Sequence, residues 1–389
     1  RLDPPGAMFL STGVIHHFRG ESLPAFFRSH DRPETKAFVH FDFLPSPLAP
    51  FGSWLFHAVR MRDPLAKHDG VVSAIRAYSG AELVRAAGDG FQLDFTDIPW
   101  GCDYYLEKGK MLDADWRDQL LKFDAIYLGA IGDPRVSDAI SARELILPLR
   151  QGLGQYVNLR PMRLMPGISS PLANRGAADI DMICVRENSE GEYCGMGGRL
   201  HGGTPYELAE QTGIFTRQGI EGIARYAFKL AQTRPRKMLA SATKSNALQH
   251  AMVLWDEVVA DVAKEFPDVK LQKYHVDALC ARMVTHPHTL DVIVASNLFG
   301  DILTDIGSAI SGSLGVGPGG NINPERTTPS MFEPIHGSAP DIAGKGIANP
   351  IAAIWAGAMM VGHLGETKTE ARIVAAIEGV LSDERVKTP

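Results

Sequence analysis

The chain has 389 residues, of which 45% are hydrophobic and 22% charged. That is the balance of an ordinary globular protein with room for two domains or one large α/β domain. A formal charge of −6 argues against a nucleic-acid surface and fits a cytoplasmic enzyme. The four cysteines (Cys102, Cys184, Cys194, Cys280) have no CxxC spacing, which predicts a reducing compartment with neither a disulfide framework nor a zinc site.

The chain opens at Arg1 rather than at Met, so a preceding segment is expected, and no secretory signal is read. Residues 1–78 are rich in proline, carry histidines without metal spacing (His16, His17, His30, His40, His57, His68) and show no sustained periodicity; an irregular segment is expected there. Regular patterning follows. Helix is predicted over 81–87, a strand over 91–95, helix over 113–123 and an apolar strand over 125–130. Next come a strand over 181–185, helix over 219–232, a strand over 237–242, helix over 247–266 and a short apolar strand over 291–295. Alternating strands and helices indicate an α/β architecture. The longest apolar run, 351–362, is far short of the roughly 20 residues that span a membrane.

Residues 315–320 fit the dinucleotide pattern G-x-G-x-x-G letter for letter. A helix precedes them, Pro318 lies inside them and Asn321-Ile-Asn-Pro follows, whereas that motif needs a strand before it and a helix after it. The stretch is therefore read as a loop, and a Rossmann fold is rejected.

In the segment SNLFGDILTD, Asp301 and Asp305 stand four apart, on one face of a helix expected to start near Gly300. Either the first helical turn favours acids, or a divalent cation sits between them. Asp277 follows strand-like residues and could supply a third carboxylate; with no His or Cys partners, such a set suits Mg²⁺ or Mn²⁺ rather than zinc. Arg150, Arg160 and Arg186 each read singly as surface or ion-pair residues. Converging on one cleft, their planar forks suit a substrate with more than one carboxylate. Lys244 directly follows a buried-looking strand, where open α/β sheets place reactive groups and where a lysine can act as a base. Tyr193, closing Glu190-Gly-Glu-Tyr, reads alone as a core or rim residue.

Together these residues resemble the β-decarboxylating dehydrogenases, the isocitrate/isopropylmalate dehydrogenase family. The resemblance rests on Asn297-Leu-Phe-Gly-Asp-Ile-Leu-Thr-Asp305 with Gly312-Ser-Leu-Gly315, on Glu333-Pro-Ile-His-Gly-Ser-Ala-Pro-Asp341 and on Gly344-Lys-Gly-Ile-Ala-Asn-Pro350. Within the family, Val185-Arg-Glu-Asn-Ser-Glu-Gly-Glu-Tyr193, Trp100-Gly-Cys-Asp-Tyr-Tyr105 and Gln155-Tyr-Val-Asn-Leu-Arg-Pro161 look most like the tartrate/D-malate branch. The resemblance implies an isopropylmalate dehydrogenase-like two-domain α/β fold. Residues 79–155 and 312–389 would form a large cofactor-binding domain and 156–311 a small central domain with dimer contacts, after an atypical segment 1–78. It assigns Asp277, Asp301 and Asp305 to Mg²⁺ or Mn²⁺, Arg150, Arg160 and Arg186 to the substrate carboxylates, and Lys244 and Tyr193 to proton transfer. Asn246, His336, Gly337, Ser338, Ala339, Asp341 and Asn349 would bind NAD, and a monovalent cation such as K⁺ is a further expected cofactor. Asp277 and Lys244 would come from the second subunit, which implies a homodimer with shared active sites acting on a small dicarboxylate, with no nucleic-acid or membrane partner.

Two features depart from the family pattern. The usual Gly-Asp-Gly-Ile-Gly-Pro-Glu loop is absent from residues 1–90, as if the first 78 residues were substituted by a mistaken gene boundary. Residues 138–144 carry Ala139 and Arg143 where the tartrate/D-malate branch tends to show His and then Leu-Trp-Gly. Isopropylmalate or isocitrate dehydrogenase activity, or a non-catalytic family member, are the alternatives.

Overall fold

The computed structural model describes residues 9–12, 38–41, 91, 93–312, 314–343 and 348–382. Its frame is an eight-stranded mixed sheet in the order β3-β12-β11-β4-β5-β10-β8-β9. These strands are β3 (Ala125–Tyr127), β4 (Val157–Arg163), β5 (Asp181–Glu187), β8 (Met238–Thr243), β9 (Lys270–His275), β10 (Val292–Ala295), β11 (Pro318–Ile322) and β12 (Ser330–Pro334). One half, β5-β10-β8-β9, is parallel and linked by helices, with β5, β8 and β10 mostly buried and the edge strand β9 partly exposed. β4 and β11 join the halves by antiparallel pairing. β6 (Gly197–Leu200) and β7 (Leu208–Gln211) form a separate exposed hairpin. Phe9–Thr12 (β1) and Phe38–Phe41 (β2) pair in parallel. The rest of the expected irregular segment, and the helix predicted over 81–87, lie outside the described residues.

The helices are α1 (Cys102–Lys108), α2 (Trp116–Leu120), α3 (Asp138–Ser141), α4 (Leu147–Gly152), α5 (Arg217–Thr233), α6 (Ala251–Ala263), α7 (Val276–Thr285), α8 (Asn297–Ile310), α9 (Ile351–His363) and α10 (Thr367–Leu381). A wide π turn, Ala142–Ile146, joins α3 to α4. Apolar side chains bury in three clusters. The largest packs α5, α6 and α8 against β5, β8 and β10 through Ile223, Phe228, Trp255 and Leu303. A second gathers α9 and α10 on Phe332, and a third surrounds Leu145, Leu149 and Met331. The apolar run expected to be too short for a membrane is α9, buried in the second cluster, and no helix among the described residues is long and apolar enough to cross a membrane.

Several elements differ from expectation, each for a local reason. Residues 93–95 form no strand, and Leu93 packs on the second cluster. The helix predicted over 113–123 shrinks to α2, because Asp113 is occupied by hydrogen bonds from Trp100 and Tyr104 and by Lys110. β8 starts one residue late, since Lys237 has a left-handed φ of 47°. α6 starts at Ala251 because residues 244–248 turn, with the Lys244 carbonyl accepting from the Ala247 and Leu248 amides.

The second half of the stretch read as a loop at 315–320 opens β11, a central strand that runs on to Ile322. Its glycines serve close packing: a Cβ on Gly320 would stand 3.2–3.3 Å from Phe332 and Met359. Pro318 is tolerated as the strand's first residue. α8 begins at Asn297, three residues before Gly300. That glycine sits inside the helix because a Cβ there would meet the Arg186 side chain at 2.5 Å.

Candidate active site

β4 and β5 run antiparallel with Arg160 opposite Cys184 and Asn158 opposite Arg186. The period-2 pleat turns all four side chains to one face. α8 lies over that face, and its polar stripe of Asn297, Asp301, Thr304 and Asp305 recurs at helical spacing. Arg160 donates through Nη1 to the Thr304 hydroxyl at 2.8 Å and lies 3.7 Å from the Asp301 carboxylate. Arg186 donates through Nε and Nη2 to Asn297 Oδ1, at 3.1 and 2.8 Å, and pairs through Nη1 with Asp301. The Tyr193 hydroxyl donates to the second Asp301 oxygen at 3.0 Å, and the Arg186 guanidinium lies 5.5 Å from the centre of its ring. Arg186 does not emerge from a strand end, as its position in DMICVR suggests; β5 continues to Glu187 and the arginine is buried.

Arg150, in the last turn of α4, pairs with Glu333 of β12 at 2.8 Å. Glu333 is held in turn by the Asn321 amide at 2.8 Å, and Asn321 Oδ1 accepts from Asn158 and Asn188, both at 2.9 Å. The three arginines are all buried, and the buried Nε atoms of Arg150 and Arg160 have no hydrogen-bond partner among the described residues. Unpartnered arginine donors gathered beside polar groups fit an anionic ligand.

The two acids of α8 differ. Burial acts to raise the Asp301 carboxyl, but Arg186 and Arg160 outweigh it and hold the group below its ordinary value. Burial and the neighbouring Asp301 charge push Asp305 up. Asp305 has no hydrogen-bond or ion-pair partner among the described residues, and Arg160 and Arg186 offset the repulsion only in part. Tyr193 is raised by burial and by Asp301, which keeps its hydroxyl protonated.

Lys244 and Asp277 form a pair of their own. β8 and β9 end side by side, Thr243 opposite His275, so Lys244 Nζ reaches the Asp277 carboxylate at 2.7 Å. Lys244 holds that carboxyl below its ordinary value. No bond among the described residues ties this pair to the arginine cluster. Within this one chain, no three His, Cys, Asp or Glu side chains gather as a metal centre among the described residues. Asp301 and Asp305 thus adjoin the arginines, and Asp277 does not join them.

The expected cofactor residues follow β12. Ser338 donates to the Gly132 carbonyl at 2.7 Å, where a Cβ on Gly132 would meet the serine oxygen at 2.8 Å, so this loop packs on the one after β3. His336 Nδ1 lies 2.9 Å from the Gly337 carbonyl, and its buried Nε2 lacks a partner among the described residues, which fits a hydrogen-bonding ligand. Gly337 approaches the Ile131 carbonyl, Ala339 is left-handed at φ 45°, and Asp341 is exposed on the turn Pro340–Ile342. Asn349 accepts from the Ile351 amide at 3.0 Å at the start of α9. Asn246 is exposed in the turn after Lys244.

Sequence reasoning missed Asn297, Thr304, Glu333, Asn321, Asn158 and Asn188. Asn297 and Thr304 were readable, since they complete the i, i+4, i+7, i+8 stripe of α8. The asparagine network spans four strands and needs the sheet order.

A mixed sheet with buried arginines under an acid-bearing helix suits the binding of an anionic ligand. The solved isocitrate dehydrogenase of Methylococcus capsulatus superposes with a TM-score of 0.73 at 35% identity, covering 82% of this chain and 91% of that one. The isocitrate/isopropylmalate dehydrogenase family matches residues 78–389, and the chain belongs to that family of oxidoreductases. It is 55% identical over 307 residues to a probable tartrate dehydrogenase/decarboxylase of Agrobacterium vitis, covering 79% of this chain and 85% of the relative. To the decarboxylating D-malate dehydrogenase of Escherichia coli K12 it is 52% identical over 319 residues, 80% of this chain and 88% of the relative. The tartrate dehydrogenase/decarboxylase of Pseudomonas putida is 48% identical over 317 residues, 79% and 87% of the two chains. These relatives support a decarboxylating dehydrogenase.

Proposed function

We propose that the protein oxidises a small 2-hydroxy dicarboxylic acid, tartrate or D-malate, with NAD and a divalent metal, and releases CO₂ from the product. The observation that carries this reading is the charge balance of the cleft. Three buried arginines face three carboxylates, Asp301, Asp305 and Glu333. A divalent ion added to Asp301 and Asp305 leaves two positive charges to meet the two carboxylates of the substrate.

Asp301 and Asp305 fit Mg²⁺ or Mn²⁺, since they are neighbouring hard oxygen donors and the carboxyl of Asp305 stays raised despite Arg160 and Arg186. Asp277 of a second subunit would complete the set, and Lys244 would arrive with it. The exposed hairpin supports a homodimer: Leu200, Tyr206 and Leu208 present large apolar side chains to solvent. So does Ile302, exposed between the two acids of α8. The separate apolar clusters support a division into a large cofactor-binding domain and a small central one, and the four free cysteines support a reducing, cytoplasmic setting.

A bound divalent ion supplies Lewis-acid polarisation of the substrate oxygen, and bound NAD supplies a hydride acceptor. The chain's own groups do the rest. Arg150, Arg160 and Arg186 bind and orient the carboxylates. Lys244 of the second subunit, released from Asp277 and present as the neutral amine, takes the hydroxyl proton. Tyr193, protonated and aimed by Asp301, returns a proton to carbon after CO₂ leaves.

Replacing Arg160 with Lys tests the reading. The variant keeps the charge but loses the planar fork that reaches both Thr304 and the cleft. The KM for D-malate or tartrate is expected to rise about ten- to a hundredfold while the KM for NAD is unchanged, each unit of log KM being about 1.4 kcal/mol. An unchanged substrate KM removes Arg160 from the carboxylate ligands.

Asp341 governs cofactor choice in the same reading. A carboxylate facing the ribose accepts a hydrogen bond from the 2′-hydroxyl of NAD and repels the 2′-phosphate of NADP. NAD is expected to be preferred, and Asp341→Lys to narrow or reverse that preference. Equal kcat/KM for the two cofactors in the unaltered protein would show that Asp341 faces elsewhere.

A further inference from the structure

Arg186 pairs through Nη1 with Asp301, and its other edge is seated by a neutral group. Both hydrogens on one edge of its guanidinium go to a single oxygen, Asn297 Oδ1, at 3.1 and 2.8 Å. The same amide donates through Nδ2 to the Glu190 carbonyl at 3.1 Å, which fixes its orientation: oxygen towards the arginine, nitrogen towards the backbone. Asn297 is 2% exposed and Arg186 3% exposed, so neither bond is shared with solvent. On the other side of the arginine stem, Gly300 leaves the space that a Cβ would take, 2.5 Å from the Arg186 Cγ and 2.7 Å from its Cβ. Asn297 and Gly300 belong to the first turn of one helix, so α8 grips the arginine stem and its guanidinium edge together.

We infer that Asn297 is a positioning residue that aims Arg186 without neutralising it, and so sets the affinity of the site for dianionic substrates. The inference rests on the reading of Arg186 as a carboxylate ligand. An aspartate has nearly the shape of asparagine and would bond the same guanidinium edge at least as strongly. A carboxylate here would be a second one beside Asp301 on the same guanidinium, would outweigh the charge the substrate meets, and would face the Glu190 carbonyl oxygen without a proton to offer. Shape favours neither residue; the bond donated to Glu190 and the charge both favour asparagine.

The test compares Asn297→Asp, Asn297→Ala and Arg186→Lys in the purified holoenzyme, using D-malate and tartrate as substrates. Asn297→Asp is expected to raise the substrate KM about ten- to a hundredfold, the range typical of residues that orient a ligand group, with KM for NAD unchanged. Asn297→Ala, which keeps the charge of Arg186 but frees its aim, is expected to lower kcat as well as raise KM. A merely structural residue predicts loss of thermal stability with both KM values unchanged, and that result overturns the inference. Where Asn297→Asp does not fold, the KM-against-kcat split of Asn297→Ala decides by itself. Arg186→Lys separates the layers. If it leaves the substrate KM unchanged, the underlying reading of Arg186 has failed. If it raises KM and the Asn297 variants do not, the positioning inference alone has failed.

Discussion

Asp305→Asn is expected to cost about a thousandfold or more in turnover while the thermal midpoint holds or rises slightly. The loss follows because several kcal/mol of charge stabilisation depend on a divalent ion that Asp305 helps to hold. The retained stability follows from the carboxyl's surroundings. Burial and Asp301 raise it, so the folded state binds its proton more readily than the unfolded state does. Ionised Asp305 therefore weakens the metal-free fold, and that cost is relieved as pH falls towards the raised value. Asparagine removes it at every pH. Thermal melts with and without Mn²⁺ check both halves: the unaltered protein should gain stability with the ion, and Asp305→Asn should not. Full activity of Asp305→Asn, or of the unaltered protein after exhaustive chelation, would exclude this acid as a metal ligand.

Arg234→Ala is expected to destabilise the fold by about 3–5 kcal/mol, the cost of stripping the partner from a buried charge. Arg234 follows α5 and bonds Asp291 through Nε at 2.6 Å and the Asp181 carbonyl through Nη2 at 3.0 Å. Asp291, next to β10, is 1% exposed, and its second oxygen has no partner among the described residues. Adding Asp291→Asn to Arg234→Ala should recover much of the loss, because the stranded charge goes with it. Urea unfolding of the single and double variants measures this. A double variant as unstable as the single one would locate the cost in lost packing of the arginine stem.

What the sequence made legible depended on range. β5, β10 and α5 were readable because apolar continuity or 3.6 periodicity is local, and α8 was recognisable from its residues though not from its start. Gly300 misled there: propensity places glycine at helix ends, whereas contact with Arg186, more than a hundred residues earlier, puts it inside. β11 misled in the same way, its glycines serving Phe332 and Met359 rather than a turn. In the site, the arginines and α8 acids could be singled out by chemistry, and the structure brings them together. The Glu333–Asn321–Asn158–Asn188 chain could not, because each asparagine is an ordinary polar residue until the strand order places all of them on one face. Asp277 and Lys244 are legible as a pair only through the adjacent ends of β8 and β9.

The most direct measurement is the yield of NADH and CO₂ when the purified protein meets D-malate or tartrate with NAD and Mn²⁺, with isopropylmalate as the contrasting substrate. The account predicts NADH formation with D-malate or tartrate, CO₂ released from D-malate in equal amount, little turnover of isopropylmalate, and loss of both products on chelation with recovery when Mn²⁺ returns. No NADH from either dicarboxylate, or turnover indifferent to chelator, would contradict it.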